Sequence, residues 1–143
     1  MSATSARERA LLDHQFGGVA LTPEATWHWG LSSTAPSDDG SNFTEPSGNG
    51  YARVAKTNNA TNFPAASTDG LLVTSKVTGT AITWATPTGS WAAGAQLTHI
   101  GAFSAATGGT PHYVFALATP IIVVGASSAP VEVPAGLGIF GAD

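Results

Sequence analysis

Apolar and polar residues alternate with a period of two along much of the chain, most clearly from Leu97 to Leu117 (LTHIGAFSAATGGTPHYVFAL). Before the small-residue turn at Ala105–Gly109, Leu97, His99, Gly101 and Phe103 are expected on one face, and Thr98, Ile100 and Ala102 on the other. After the turn, Tyr113, Phe115 and Leu117 alternate with Val114 and Ala116. Successive side chains of a strand project to opposite faces, and a Gly-Gly turn reverses the chain, so this segment predicts a β-hairpin. Ala25–Leu31 (ATWHWGL) repeats the pattern, with Trp27, Trp29 and Leu31 together. Further short strands are expected at Tyr51–Thr57, Leu71–Lys76, Thr80–Trp84, Pro120–Val124, Val131–Val133 and Leu137–Phe140. Turn signals recur about every ten residues between them, the spacing of sandwiches and barrels. The expected core is Trp27, Trp29, Leu31, Ile82, Trp84, Ile100, Phe103, Phe115 and Leu117. Alternation leaves open which face is covered, and Ile100 and Phe103 fall on opposite ones.

Ser5–Gln15 shows the one helical pattern. Ser5 and Glu8 have capping-box spacing, Ala10 and Leu11 with His14 or Gln15 give a short apolar face, and Gly17-Gly18 stops it. A helix this short is marginal in water and must dock, on the chain's own sheet or on a neighbouring subunit. Together these signals predict a mainly-β fold, an antiparallel sandwich or barrel with one short N-terminal helix, in a single domain over residues 1–143. The polar segment Ser32–Gly50 (SSTAPSDDGSNFTEPSGNG) is a long irregular loop, too long for a mere connection. Asn58–Pro64 reads as a second loop.

Charged residues are only 10% of the chain and the net charge is −4. The surface is thus polar but weakly charged, which suits a protein packed beside many neighbours. Nucleic acid is not an expected partner, because phosphate neutralisation needs basic stripes and Arg7, Arg9, Arg53, Lys56 and Lys76 do not cluster. Cysteine is absent, which removes thiolate chemistry and zinc–thiolate sites. SATSARERALLDHQ carries charge where a signal peptide needs an apolar stretch, and Pro120–Val124 is too short to span a bilayer, so no membrane role is expected.

Candidate chemistry is sparse. Asp38-Asp39-Gly40-Ser41-Asn42 offers several oxygens of the kind calcium prefers, yet it lacks EF-hand spacing and reads equally as a turn in which Asp caps backbone amides. His14, His28, His99 and His112 show neither HxH nor HExxH spacing. There is no G-x-S-x-G elbow, and nothing in the sequence brings Glu45 and Glu132 to glycosidase separation. No catalytic residue, metal or cofactor is therefore assigned. Trp27, Trp29, Trp84 and Trp91 are either core residues or a stacking platform for sugars; Trp91, in an expected loop beside Gly89 and Ala92, is the best candidate for exposure.

Several segments in order, ALLDHQFGG (Ala10–Gly18), GLSSTAPSDDGSNFTEPSGNGYARVAKTNNATNFPAA (Gly30–Ala66), GTAITWATPTGSW (Gly79–Trp91), THIGAFSAATGG (Thr98–Gly109) and FALATP (Phe115–Pro120), carry a resemblance. They resemble a family of small virion proteins of tailed phages and prophages, variously tail-fibre, minor-tail or capsid-associated components. The resemblance implies a structural role without chemistry, in a virion assembled in the host cytoplasm. It implies as partners the major capsid protein or other virion proteins, and further copies of the chain. The leading expectation is a decoration or cement protein that bridges capsomers of the head lattice. The alternative is a tail-fibre or minor-tail module that contacts the host surface; a virion-borne glycan hydrolase is a more distant third. Contact residues are expected on the helix (Arg7, Leu11, Leu12), on the long loop (Asp38, Asp39, Phe43, Glu45) and at Trp91. Phe43, alone among polar neighbours, either anchors a partner or folds back over the chain's own core.

Overall fold

The alternating segments pair into three antiparallel sheets in the computed structural model, which describes residues 2–68 and 74–142. The largest has five strands in the order β1 (Ser2–Ala3), β8 (Tyr113–Ile121), β7 (Leu97–Phe103), β2 (Thr26–Ser32) and β3 (Val54–Thr57). A three-stranded sheet joins β10 (Gly138–Ala142), β5 (Thr74–Val77) and β4 (Ser67–Thr68), and β6 (Ile82–Thr83) pairs with β9 (Glu132–Val133). With α1 (Ser5–Gly17) as the one α-helix among the described residues, the fold is mainly β, as the alternation predicts. Residues 71–73 of the expected Leu71–Lys76 strand lie outside the described residues, and β5 begins at Thr74.

The predicted hairpin forms from β7 and β8, with Gly108 and Gly109 both left-handed (φ 68°) in its turn. Register places Leu31 beside Ile100 and Ile100 beside Phe115, and Trp29 beside Ala102. These residues line one face of the central sheet. Phe63, Ile82, Trp84, Trp91, Val123 and Val133 close over them to complete one buried cluster. Non-directional burial of this kind contributes roughly 1.5–3 kcal/mol for each large side chain fully covered.

Three expectations change. Leu97 was assigned to the face of Phe103, but the register shifts between Leu97, which pairs with Ile121, and His99, which pairs with Ala116, so the two strands run out of step there. At this irregularity Leu97 turns to the core face, where it is fully buried with Ile100. Phe103 is buried on the opposite face of the sheet, away from that cluster. Trp91 was expected to be exposed and is instead 0% exposed. Its indole N–H donates to the Asn49 carbonyl at 3.0 Å, its amide to the Val123 carbonyl at 3.0 Å, and its ring meets Tyr51 edge-on at 5.2 Å. Left-handed Ala92, Ala93 and Gly94 then turn the chain towards β7.

The helix start also differs. Thr4, not Ser5, occupies the cap position, and it makes no side-chain cap bond. Pairing of Ala3 with Tyr113 fixes this junction, because it lets the Thr4 amide donate to the His112 carbonyl at 2.9 Å. The Ser5 amide and hydroxyl then both donate to the Asp38 carbonyl, at 2.8 and 3.2 Å, so the capping box does not form. The helix runs on to Gly17, and Gly18 ends it at φ 68°.

Trp84 sits 1% exposed in the cluster. Trp84→Ala should therefore cost about 3–5 kcal/mol, read as a lower urea midpoint, whereas Val124→Ala at an exposed position should move stability by less than about 0.5 kcal/mol.

Candidate interaction surfaces

Gly30 and Gly101 are direct cross-strand partners on β2 and β7. Having no side chains, they leave a notch in the face of the sheet opposite the main core. The long loop fills it. A Cβ on Gly101 would lie 2.6 Å from the Phe43 ring, and one on Gly30 would lie 2.5 Å from a Glu45 carboxylate oxygen. Phe43 packs edge-on to Phe103 with ring centroids 5.1 Å apart. It thus adopts the inward arrangement.

Arg53, the residue before β3, holds this arrangement together. Its Nη2 lies 2.6 Å from Glu45 Oε2, and its Nε donates to both carboxylate oxygens at 3.0 and 3.1 Å. Nη1 donates to the carbonyls of Ala105 and Gly108 at 2.9 and 2.8 Å, which ties down the hairpin turn. The guanidinium also lies 3.3 Å above the centre of the Phe103 ring. Tyr51 donates its O–H to Glu45 Oε1 at 2.9 Å and accepts the Leu31 amide at 2.8 Å. Burial first, and then the Glu45 charge, push the Tyr51 hydroxyl far above its ordinary range, so it stays protonated. The ion pair is well shielded, with side-chain exposures of 5% for Arg53 and 23% for Glu45.

The rest of the loop is satisfied locally. The fully buried Ser32 hydroxyl donates to the Thr34 carbonyl at 2.8 Å and accepts the Thr34 and Thr44 amides at 3.2 and 2.9 Å. Asp39 Oδ1 accepts the Ser41 amide at 2.9 Å, and bonds to Ser41 hold the Asp39 carboxyl below its ordinary range. Asp39-Gly40-Ser41 is thus an Asx turn. Among the described residues, no three His, Asp or Glu side chains converge as a metal would require.

Arg7 is half-buried. Its Nε donates to the Tyr113 hydroxyl at 3.1 Å, and its guanidinium lies 5.8 Å from the Trp27 ring centre and 5.6 Å from that of Tyr113. Leu11 stands over a cavity of about 360 Å³ lined also by Trp27, Trp29, Phe63, Lys76 and Tyr113. This lining offers no nucleophile–base pair. Leu12 faces away and is exposed.

The structure therefore brings Phe43 and Glu45 together over the glycine notch, joins Asp38 to the helix start, and leaves Leu12 outside. Sequence reading missed Arg53 and Tyr51, although an arginine and a tyrosine flanking a strand after an acidic loop were a usable signal. It also missed Phe16 (84% exposed) and Val19, Ile122 and Val124, which leave large apolar surfaces in solvent. Such residues mark contact surfaces when they gather.

The site as a whole is an antiparallel β body whose long loop is fixed by its own polar side chains, with several large apolar residues left exposed. The family model described as Podophage GP4 fiber I protein gp80 matches residues 2–135, and the chain belongs to that family. It is a phage virion structural family of tail-fibre type. No curated protein matches the chain. Among the described residues, no helix is long and apolar enough to cross a membrane.

Two predictions follow from this geometry. Arg53→Ala leaves the Glu45 carboxylate shielded and unpaired, and should cost about 3 kcal/mol; Arg53→Ala with Glu45→Ala should lose less than the sum of the single changes. A thermodynamic cycle from urea melts measures this. The second concerns pH. Burial holds the His99 imidazole below the ordinary histidine range, and burial, then the Arg7 charge, does the same for His112 against an opposing pull from Glu24. The unfolded chain then binds more protons, so this stability is full above the ordinary histidine pKa of about 6.5 and is lost as pH falls below it. Urea midpoints at about pH 7.5 and about pH 5.5 should differ in that sense, and His112→Gln should narrow the gap.

Proposed function

We propose that this protein is a structural module of a podophage tail fibre that places a rigid β body at the host-facing side of the particle. The single observation that carries the reading is the fibre-family match across residues 2–135. The match favours a fibre over the head-lattice decoration role expected from sequence. The fold supports the reading, because the long irregular segment is pinned to the sheet by Arg53, Glu45 and Phe43. A pinned loop presents an ordered surface to a partner and loses little conformational entropy on contact.

The protein acts by binding, without catalysis. Its partners are other virion proteins and the host surface, and it joins the particle during assembly in the host cytoplasm. Loop residues Asp38 and Asp39 and helix residues Leu11 and Leu12 lie on exposed parts of that body. Trp91 acts from inside, by fixing the turn before β7.

Antibody labelling of purified particles tests the role. Gold should decorate the tail, and quantitative mass spectrometry should give far fewer copies than the major capsid protein. Recombinant protein added before infection should slow adsorption. Label spread evenly over the head, at a copy number near that of the capsid lattice, would restore the decoration reading.

A further inference from the structure

The helix carries two different faces. Residues four apart share a helix face. Arg7 and Leu11 form one such pair, and they contact Trp27 and Tyr113 and the cavity beneath. Glu8, Leu12 and Phe16 form another, and all three are exposed. Arg9 and Asp13 run beside this second row and are exposed as well. Val19, just past the helix end, is more than half exposed as well. No residue of α1 is buried, although a helix of 13 residues is marginal without a partner. The inner face meets the sheet through Arg7 and overhangs the cavity at Leu11. The outer stripe has no such cover.

The charges beside the stripe indicate what covers it. Arg9 lies toward one end of α1 and Asp13 toward the other, on the same flank. When two identical helices cross antiparallel about a two-fold axis near Leu11 and Leu12, the same flank of each faces its counterpart. Arg9 of each copy then meets Asp13 of the other, and the contact occurs twice. In a parallel crossing the same flanks lie on opposite sides of the pair, so Arg9 and Asp13 of the two copies would not meet. We propose that two copies of this chain pair through α1, antiparallel, with Leu12 and Phe16 buried between them and reciprocal Arg9–Asp13 contacts on the rim. An isologous interface of this kind needs a self-complementary surface, and this stripe has one. The pairing is independent of where on the particle the protein sits.

Charge reversal provides the test, because the two partners come from different copies. R9E makes the flank acidic at both positions, and D13K makes it basic at both. Each change sits on an exposed site and should leave the tryptophan near-ultraviolet circular dichroism unchanged. Sedimentation velocity over a concentration series should show a dimer for the wild type. Each single variant should dimerise more weakly, by about tenfold or more in dissociation constant, since two attractive contacts become repulsive. An equimolar mixture of R9E and D13K should recover dimers, as each acidic flank finds a basic one. Neither variant regains a pair within its own helix on mixing, so recovery reports contact between copies. L12D/F16D should be monomeric with an intact fold. A wild-type monomer at all concentrations, single variants that dimerise like the wild type, or a mixture that stays monomeric would each overturn the proposal.

Discussion

The Arg53–Glu45 ion pair is the interaction on which the rest of this structure depends. One guanidinium satisfies the loop carboxylate, stacks on Phe103 and donates to two carbonyls of the hairpin turn. It therefore ties the long loop and the start of β3 to the β7–β8 hairpin, 52 to 55 residues further along the chain. A shielded ion pair returns little net stability when compared with apolar packing, because both ions lose water. Its value lies in position: the carboxylate has one well-bonded arrangement, and that arrangement holds the loop on the sheet.

The notch formed by Gly30 and Gly101 is the complement of that ion pair. Glycine in a strand interior weakens the strand, so two glycines directly opposite one another are costly unless something fills the space. Phe43 and Glu45 fill it. The sheet thereby gains cover on both faces: an apolar cluster on one side and a polar, hydrogen-bonded loop on the other. This explains how a chain with few charges keeps a long loop ordered. Ser32, Thr34, Thr44 and Asn42 bond within the loop, and Arg53 anchors it.

A virion component is assembled once and must hold its shape. The fold suits that requirement, since the long loop's polar groups bond within the chain and, among the described residues, no three His, Asp or Glu side chains converge. The apolar residues left in solvent gather instead at α1 and just beyond β8, where Phe16 and Val124 are the most exposed. They sit on segments that end or leave regular structure.

Much of the fold was legible in the residues. Period-two alternation located β2 and the β7–β8 hairpin, the Gly-Gly turn was read correctly, and the helix began at Ser5 as expected, although without the capping box. The ordered phage-like segments pointed to a virion protein before any fold was known. Local patterns could do this because strand faces, turns and helix ends are set by near neighbours. Contacts between distant segments were decided only in three dimensions. The register shift at Leu97 depends on how β7 meets β8, and the Thr4 cap on how β1 meets β8. Phe43 and Glu45 looked like surface residues because nothing near them in sequence reveals two glycines facing each other across separate strands. Trp91 looked exposed because its neighbours are small, yet Asn49, Tyr51 and Val123 enclose it. Alternation says which side chains share a face; only the packed chain decides which face is covered, and by what.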